Sequence, residues 1–199
     1  MRSLRRLRTN EQGFTVIEGV IASTLTLVLA MAVLSLMDSG AKSERISQAR
    51  HSAQLTLRGA TMQMTKEIRQ AVSVAAGSTQ TVLDMQTLLY DQVTNSVQTH
   101  RVVYRVTGSP PDAKLERLED PTGTAPGPYS GATAVQLADR VVAPQAFCYQ
   151  YDGSTNTCTS TSPTATLSSI RISLEITPVA FNAGAVKLAT DVKLRNVSA

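Results

Sequence analysis

The sequence predicts an α+β fold in which a long N-terminal α-helix packs on an antiparallel β-sheet. Two observations predict it. The N-terminal part of the chain has an apolar run followed by an apolar stripe of helical period, and after residue 77 apolar and polar residues alternate with a period of two. With 199 residues, 42% of them apolar and 17% charged, the chain can form one modest globular domain and an appendage. The predicted segments are a basic leader peptide at 1–13, a transmembrane helix at 14–37, an amphipathic helix at 38–76 and an antiparallel β head domain at 77–199.

The first element is an apolar run of 24 residues from Phe14 to Met37, which is long enough to cross a bilayer. The leader before it holds four arginines and one glutamate, a net charge of +3, which leaves only +1 of the chain's +4 for the other residues. By the positive-inside rule this predicts a cytoplasmic N-terminus and an extracytoplasmic head. The distribution does not favour a nucleic-acid-binding surface. A plain signal anchor is the simplest interpretation, because no small-residue cleavage site follows the run.

Glu18 is the one charged residue in this apolar run. A carboxylate inside a transmembrane segment costs roughly 2.5–3.5 kcal/mol on insertion scales and marks a functional position. It can pair with a cation, which makes burial tolerable. Alternatively, it can reach the cytoplasmic headgroups from its position near the helix start. Position alone leaves both interpretations open.

The segment GFTVIEGVIA closely resembles the class III signal of type IV pilins and pseudopilins. The shared features are a short basic leader, Gly13, an apolar Phe14 and a glutamate at the fifth mature position, here Glu18. The resemblance implies that a prepilin peptidase cleaves after Gly13 and methylates the new amino group of Phe14. It also implies that the helix remains as a membrane anchor and later forms the filament core, with Glu18 paired to the N-terminal amine of a neighbouring subunit during assembly.

The second half of the predicted helix carries an apolar stripe whose spacings of three and four residues average about 3.6 per turn. Its members are Ile46, Ala49, Ala53, Leu57, Ala60, Met64, Ile68 and Ala71. The charged residues between them are assigned to a wetted face: Lys42, Glu44, Arg45, Arg50, Arg58, Lys66, Glu67 and Arg69. The helix is predicted to continue to about Val74 and to stop before Gly77.

Alternating segments after residue 77 predict half-buried strands, with one face on a core and one in solvent. The predicted inward-facing residues are Ile170, Ile172, Leu174, Ile176, Val186, Leu188, Val192, Leu194, Val102, Tyr104, Val106, Phe147, Tyr149 and Tyr151. Arg101, Val103 and Arg105 are assigned to the solvent face. The apolar stripe of the helix would cover the inner face, giving a two-layer head. The proline- and glycine-rich stretch 120–133 predicts a functional or mobile loop.

Cys148 and Cys158 are the only cysteines, and an extracytoplasmic location favours a disulfide between them over free or intermolecular thiols. A metal site is not expected, because His51 and His100 have no ligand cluster nearby and both are assigned to solvent. The acidic residues that could bind calcium lack the dense spacing of a loop site; they are Asp91, Asp112, Glu116, Glu119, Asp120 and Asp152. No cofactor is predicted.

The chain contains no G-x-S-x-G, H-E-x-x-H or P-loop motif, which predicts a protein that is not an enzyme. The head segments VVYRV, KLERLED, LADRVVAPQAFCYQYD, IRISLEITP and KLATDVKLRN are similar to those of J-class minor pseudopilins of type II secretion and related minor pilins. The chain departs from them in having no Trp after Y-Q-Y-D-G. A disulfide is not a general feature of these subunits either.

The resemblance implies a subunit that primes or joins a type IV pilus-like or type II secretion filament. Its partners would be the prepilin peptidase, other pilins or pseudopilins and the inner-membrane assembly platform. It would begin as a single-pass inner-membrane protein and end in a periplasmic or cell-surface filament. The alternatives are a pilus-tip adhesin or a DNA-uptake subunit, where nucleic acid would be a partner, and a signal-anchored enzyme.

Overall fold

The computed structural model describes residues 15–91, 95–120, 133–143, 145–151, 167–179 and 183–195. The chain forms two compact units, Met1–Arg45 and Ile46–Ala199, called the anchor unit and the head unit below. Helix α1, Val16–Arg69, contributes residues to both units. The fold is α+β with a long N-terminal helix and an antiparallel sheet, as predicted. Gly13 and Phe14 lie outside the described residues.

The apolar stripe of α1 is confirmed within the head unit. Its buried members are Ala53, Leu57, Ala60, Met64, Ile68 and, just after the helix, Ala71. Ile46 and Ala49 are half-buried. The buried members join the inner-face residues of the sheet in one hydrophobic core. Each large apolar side chain buried in this way contributes about 1.5–3 kcal/mol.

The predicted C-terminal end of the helix, at about Val74, is wrong. Helix α1 ends at Arg69, and strand β1, Ala71–Val74, follows after a turn at Gln70. β1 contains two valines, whose branched side chains favour a strand. It pairs antiparallel with β2, Val82–Asp91, and this long-range pairing ends the helix before Gly77 is reached.

Within the described residues, the sheet contains eight strands in the order β1-β2-β3-β4-β5-β7-β6, with β8 paired to β7. The remaining strands are β3 Ser96–Thr107, β4 Ala113–Asp120, β5 Thr133–Val141, β6 Phe147–Tyr151, β7 Leu167–Ile176 and β8 Val186–Lys193. All pairings are antiparallel. β7 lies between β6 and β8, because Ile170 pairs with Tyr149 on one side and with Val192 on the other. Residues 121–132 of the predicted loop lie outside the described part of the chain.

Most of the predicted strand faces are confirmed. The inward residues of β7 are buried, those of β8 are buried or half-buried, and Phe147 and Tyr149 of β6 are buried. The solvent face assigned to β3 is wrong at its centre, where Val103 and Arg101 are buried as well as Val102. Arg101 can be buried because Asp84 of β2 accepts two hydrogen bonds from its guanidinium, at 2.9 and 2.5 Å. A paired and hydrogen-bonded charge tolerates burial, which an isolated one does not.

Candidate functional site at the helix start and in the head core

Glu18 lies in the first turn of α1, and its side chain is exposed. Thr15, the residue before the helix, caps it: the Thr15 hydroxyl oxygen accepts a hydrogen bond from the Glu18 N–H and donates one to Glu18 Oε2, both at 3.3 Å. This is close to a capping box, whose T-x-x-E signature is visible in the sequence but was missed. At 3.3 Å the hydroxyl–carboxylate contact is longer than an ordinary O–H···O bond. The carboxylate therefore keeps most of its capacity for a stronger partner.

The apolar run on the anchor unit has no protein packed on it in the described residues. Every residue from Val16 to Met37 is exposed, and Leu36, for example, keeps 73% of its surface. Helix α1 is long and apolar enough to cross a membrane. This supports a single-pass membrane anchor, because so large an exposed apolar surface is not stable in water.

Three hydroxyl groups of this run donate hydrogen bonds within the helix. Ser23, Thr24 and Thr26 donate to the carbonyls of Val20, Ile21 and Ala22 at 2.7–2.9 Å. Such bonds let a polar side chain enter an apolar environment without losing a hydrogen bond. Glu18 differs from these hydroxyl groups because no backbone carbonyl can neutralise a carboxylate. It is the group in this run that most needs an external partner.

A second candidate lies in the core of the head unit, where the side chain of Glu67 on α1 is buried. Its carboxylate accepts hydrogen bonds from Tyr104 Oη at 2.6 Å and from Arg117 Nε at 3.0 Å. Arg117 Nη2 lies 3.0 Å from the same carboxylate. The assignment of Glu67 to the wetted face is wrong, because this residue is only 5% exposed. Two partners on neighbouring strands explain how the charge is buried.

The hydrogen-bonded chain continues along the sheet. Arg117 Nη1 contacts Glu119 Oε2 at 2.7 Å, and Glu119 Oε1 contacts His100 Nδ1 at 2.9 Å. These residues, with Glu67 and Tyr104, are called the Glu67 cluster below. His100 is 5% exposed, so its assignment to solvent is wrong, whereas His51 is exposed as predicted.

The electrostatics of the Glu67 cluster favour fixed protonation states. Burial, and then the charge of Glu67, raises the pKa of Tyr104 well above its ordinary value. Burial is the largest single influence and would lower the pKa of Arg117, but the hydrogen bonds and charges of Glu67 and Glu119 together outweigh it and raise the pKa. Burial would raise the pKa of Glu119, but the hydrogen bonds and charges of Arg117 and, to a smaller extent, His100 together outweigh burial and lower it. A neutral tyrosine and a permanently charged arginine suit a structural link between α1 and the sheet better than proton transfer.

The remaining predicted positions are placed as follows. Cys148 on β6 is buried and carries no free thiol, but Cys158 lies outside the described residues, so their pairing stays a prediction. Glu116, considered for calcium, is paired with Arg105 at 2.8 Å. In the described part of the chain, no group of three or more His, Cys, Asp or Glu side chains is placed to hold a metal ion.

Compared with known proteins, the chain matches no protein-family model and no curated protein sequence. Its function is therefore inferred from its own residues. Glu18 on an exposed apolar helix is the feature with the most specific consequence.

Proposed function

We propose that this chain is a minor pilin or pseudopilin subunit that a prepilin peptidase processes. It primes or joins a type IV pilus-like or type II secretion filament. One observation carries the proposal: Glu18 is a lone carboxylate at the start of an exposed apolar helix. In the sequence it lies four residues after Phe14 of the Gly13–Phe14 junction. A plain membrane anchor needs no charge at that position, and a carboxylate there is costly.

The exposed apolar face of α1 suits two successive environments. In the membrane, lipid covers the run from Val16 to Met37. In a filament, the helices of neighbouring subunits would cover it through side-chain packing. The change of environment needs no refolding of the helix, because Ser23, Thr24 and Thr26 already donate to carbonyls of the same helix.

Glu18 gives this packing its register. Cleavage after Gly13 would create a positively charged amine at Phe14, and the amine of a neighbouring subunit would then pair with Glu18. A subunit docked out of register leaves both charges buried and unpaired, at a cost of about 3–5 kcal/mol. The weak Thr15 contact would hold the carboxylate near the helix start until the amine arrives.

The proposal includes the wider setting of such a subunit. It begins as a single-pass inner-membrane protein with its N-terminus in the cytoplasm and its head outside, and it meets the assembly platform and other pilins or pseudopilins there. The head unit acts as a packed, non-enzymatic body, and an ATPase elsewhere supplies the work of assembly.

The test is recruitment of a Glu18→Gln variant, which keeps the size of the side chain and loses the charge. In the native host, crosslinking of this variant to its filament partners should fall by about tenfold or more, since an amine would lose its counter-ion. Membrane insertion should stay normal or improve. Asp38→Asn is the matched control, because it removes an exposed carboxylate of the same helix, paired with Lys42 at 2.6 Å, and should assemble normally.

Full crosslinking by the Glu18→Gln variant would mean that Glu18 only reaches the lipid headgroups. Equal losses in the two variants would mean that charge on the helix matters in general and that Glu18 has no special role. Either result contradicts the pairing mechanism.

A further inference from the structure

A groove of about 720 Å³ lies on the head unit, between one flank of α1 and strand β8. Its lining includes Thr61, Thr65, Lys66, Arg69, Thr190 and Arg195. Thr61, Thr65 and Arg69 each come directly after a buried residue of the apolar stripe. Neither the filament role nor the Glu67 cluster uses these side chains.

The groove is positively charged. Three of its lining residues are cations and none is a carboxylate. Within the described residues, Lys66, Arg69 and Arg195 belong to no ion pair. The nearby carboxylate on β8, Asp191, is held by Arg171 at 2.7 Å. A concave surface lined by one sign of charge attracts a ligand of the opposite sign.

Thr61 supplies a second, independent observation. This residue is 8% exposed, and its hydroxyl oxygen has no hydrogen-bond partner among the described residues. Thr56, five residues earlier on α1, instead donates its hydroxyl to the Ser52 carbonyl at 3.1 Å. A buried hydroxyl left without a partner is costly. Thr61 lines the groove, but its hydroxyl oxygen is covered in the free chain, so a bound ligand supplies the missing hydrogen bond only when the Thr61 side chain turns to another rotamer.

The volume of the groove and its position beside β8 favour an extended chain over a small ion. β8 pairs only with β7 among the described strands, so the backbone groups of its other edge are available. An extended peptide can add to such an edge through main-chain hydrogen bonds while its side chains meet the neighbouring surface. The volume is also in the range of sites that hold ligands much larger than a phosphate.

We propose that this groove binds an acidic, extended peptide segment of a partner protein. Its carboxylates contact Lys66, Arg69 and Arg195, and its polar atoms accept a hydrogen bond from Thr61. A nucleic acid fits less well, because the described lining offers no aromatic side chain on which bases could stack. The proposal concerns the head unit and goes beyond the filament role.

The experiment uses the full chain in detergent micelles and a fluorescein-labelled peptide in which Glu alternates with Thr. Fluorescence anisotropy should show saturable binding that weakens with salt, and a peptide with Gln in place of every Glu should not bind. The double variant Arg69→Gln/Arg195→Gln should bind the acidic peptide about fivefold to tenfold more weakly. The control Arg45→Gln/Lys114→Gln removes the same charge from exposed positions outside both the groove and β8 and should stay within about twofold of the native chain. Circular dichroism checks that both variants are folded.

Thr61→Val tests the groove without changing any charge. Valine is close in size to threonine and has a methyl group in place of the hydroxyl. Peptide binding should therefore weaken by about twofold to fivefold, while the melting temperature of the free chain stays the same or rises. A variant that binds normally would remove Thr61 from the site and contradict the proposal.

Four other results would overturn it. They are the absence of saturable binding, equal binding of the Gln peptide, equal losses in the groove and control double variants, and displacement of the peptide by inorganic phosphate at similar concentration, which would indicate a small-anion site. A single-stranded oligonucleotide that binds more tightly than the peptide, with the same dependence on Arg69 and Arg195, would assign the groove to nucleic acid instead.

Discussion

Replacing Glu67 by glutamine perturbs the centre of the buried cluster with little change in size. The native carboxylate accepts hydrogen bonds from Tyr104 and Arg117, and the side chains of Glu67 and Arg117 are only 7% and 10% exposed. Glutamine keeps one acceptor oxygen but replaces the other with an NH2 donor and removes the charge that balances the guanidinium. The variant therefore leaves Arg117 buried and only partly paired.

The expected loss of stability depends on the contacts that Arg117 and Tyr104 keep in the variant. Removing one partner of a buried ion pair costs about 3–5 kcal/mol. Arg117 keeps its 2.7 Å contact with Glu119, and Tyr104 can still donate, so the lower value of about 3 kcal/mol applies here. For a domain of this size, 1 kcal/mol moves the melting temperature by about 2–4 °C, so Glu67→Gln should lower it by about 6–12 °C.

The assay is thermal unfolding of the full chain in detergent, followed by circular dichroism, with Glu116→Gln as the control. Glu116 pairs with Arg105 at 2.8 Å on half-exposed side chains, and such a pair contributes about 0–1 kcal/mol. The double variant Glu67→Gln/Arg117→Met should lose less stability than the sum of the two single variants, because the two side chains act on each other. Equal shifts for Glu67→Gln and Glu116→Gln would refute the conclusion that the cluster fastens α1 to the sheet.

Three further predictions concern the head unit. The raised pKa of Tyr104 lets the folded state keep a proton that the unfolded state loses above pH about 10. The free energy of unfolding should therefore fall as the pH rises in that range, and it should fall less steeply in Tyr104→Phe. Equal slopes for the two proteins in urea titrations would contradict this. Leu57→Ala should destabilise the chain by about 2–5 kcal/mol, because the side chain is 1% exposed, whereas Leu55→Ala at 55% exposure should change stability by less than about 0.5 kcal/mol in the same titration. Thiol titration of exported, denatured protein should find no free thiol, because Cys148 and Cys158 are expected to be bonded; two free thiols would contradict the disulfide.

The parts of the fold that the sequence predicts are those whose signal repeats locally. The apolar stripe of α1 repeats with the period of a helix, and the alternation of β7 repeats with the period of a strand. The buried face of each element can therefore be predicted without knowing which residues pack against it. Glu18 is visible for a similar reason, since a lone charge stands out in an apolar run. Its cap by Thr15 was equally visible as T-x-x-E.

The parts that could not be predicted depend on contacts between distant segments. Glu67 looks like a solvent-facing charge in its local pattern, and its burial follows from Tyr104 and Arg117, which are 37 and 50 residues away. The end of α1 likewise depends on the pairing of β1 with β2. The groove combines Arg69 with Arg195, which only the completed fold brings together.

The central claim is that this chain is a processed filament subunit, and the mass of the mature protein tests it most directly. Protein purified from the membranes of the native host should give a mass spectrum of a chain that starts at Phe14 and carries one added methyl group on its amine. A mature chain that still contains Arg2 to Gly13, with no methyl group, would contradict the account and leave α1 as a plain signal anchor.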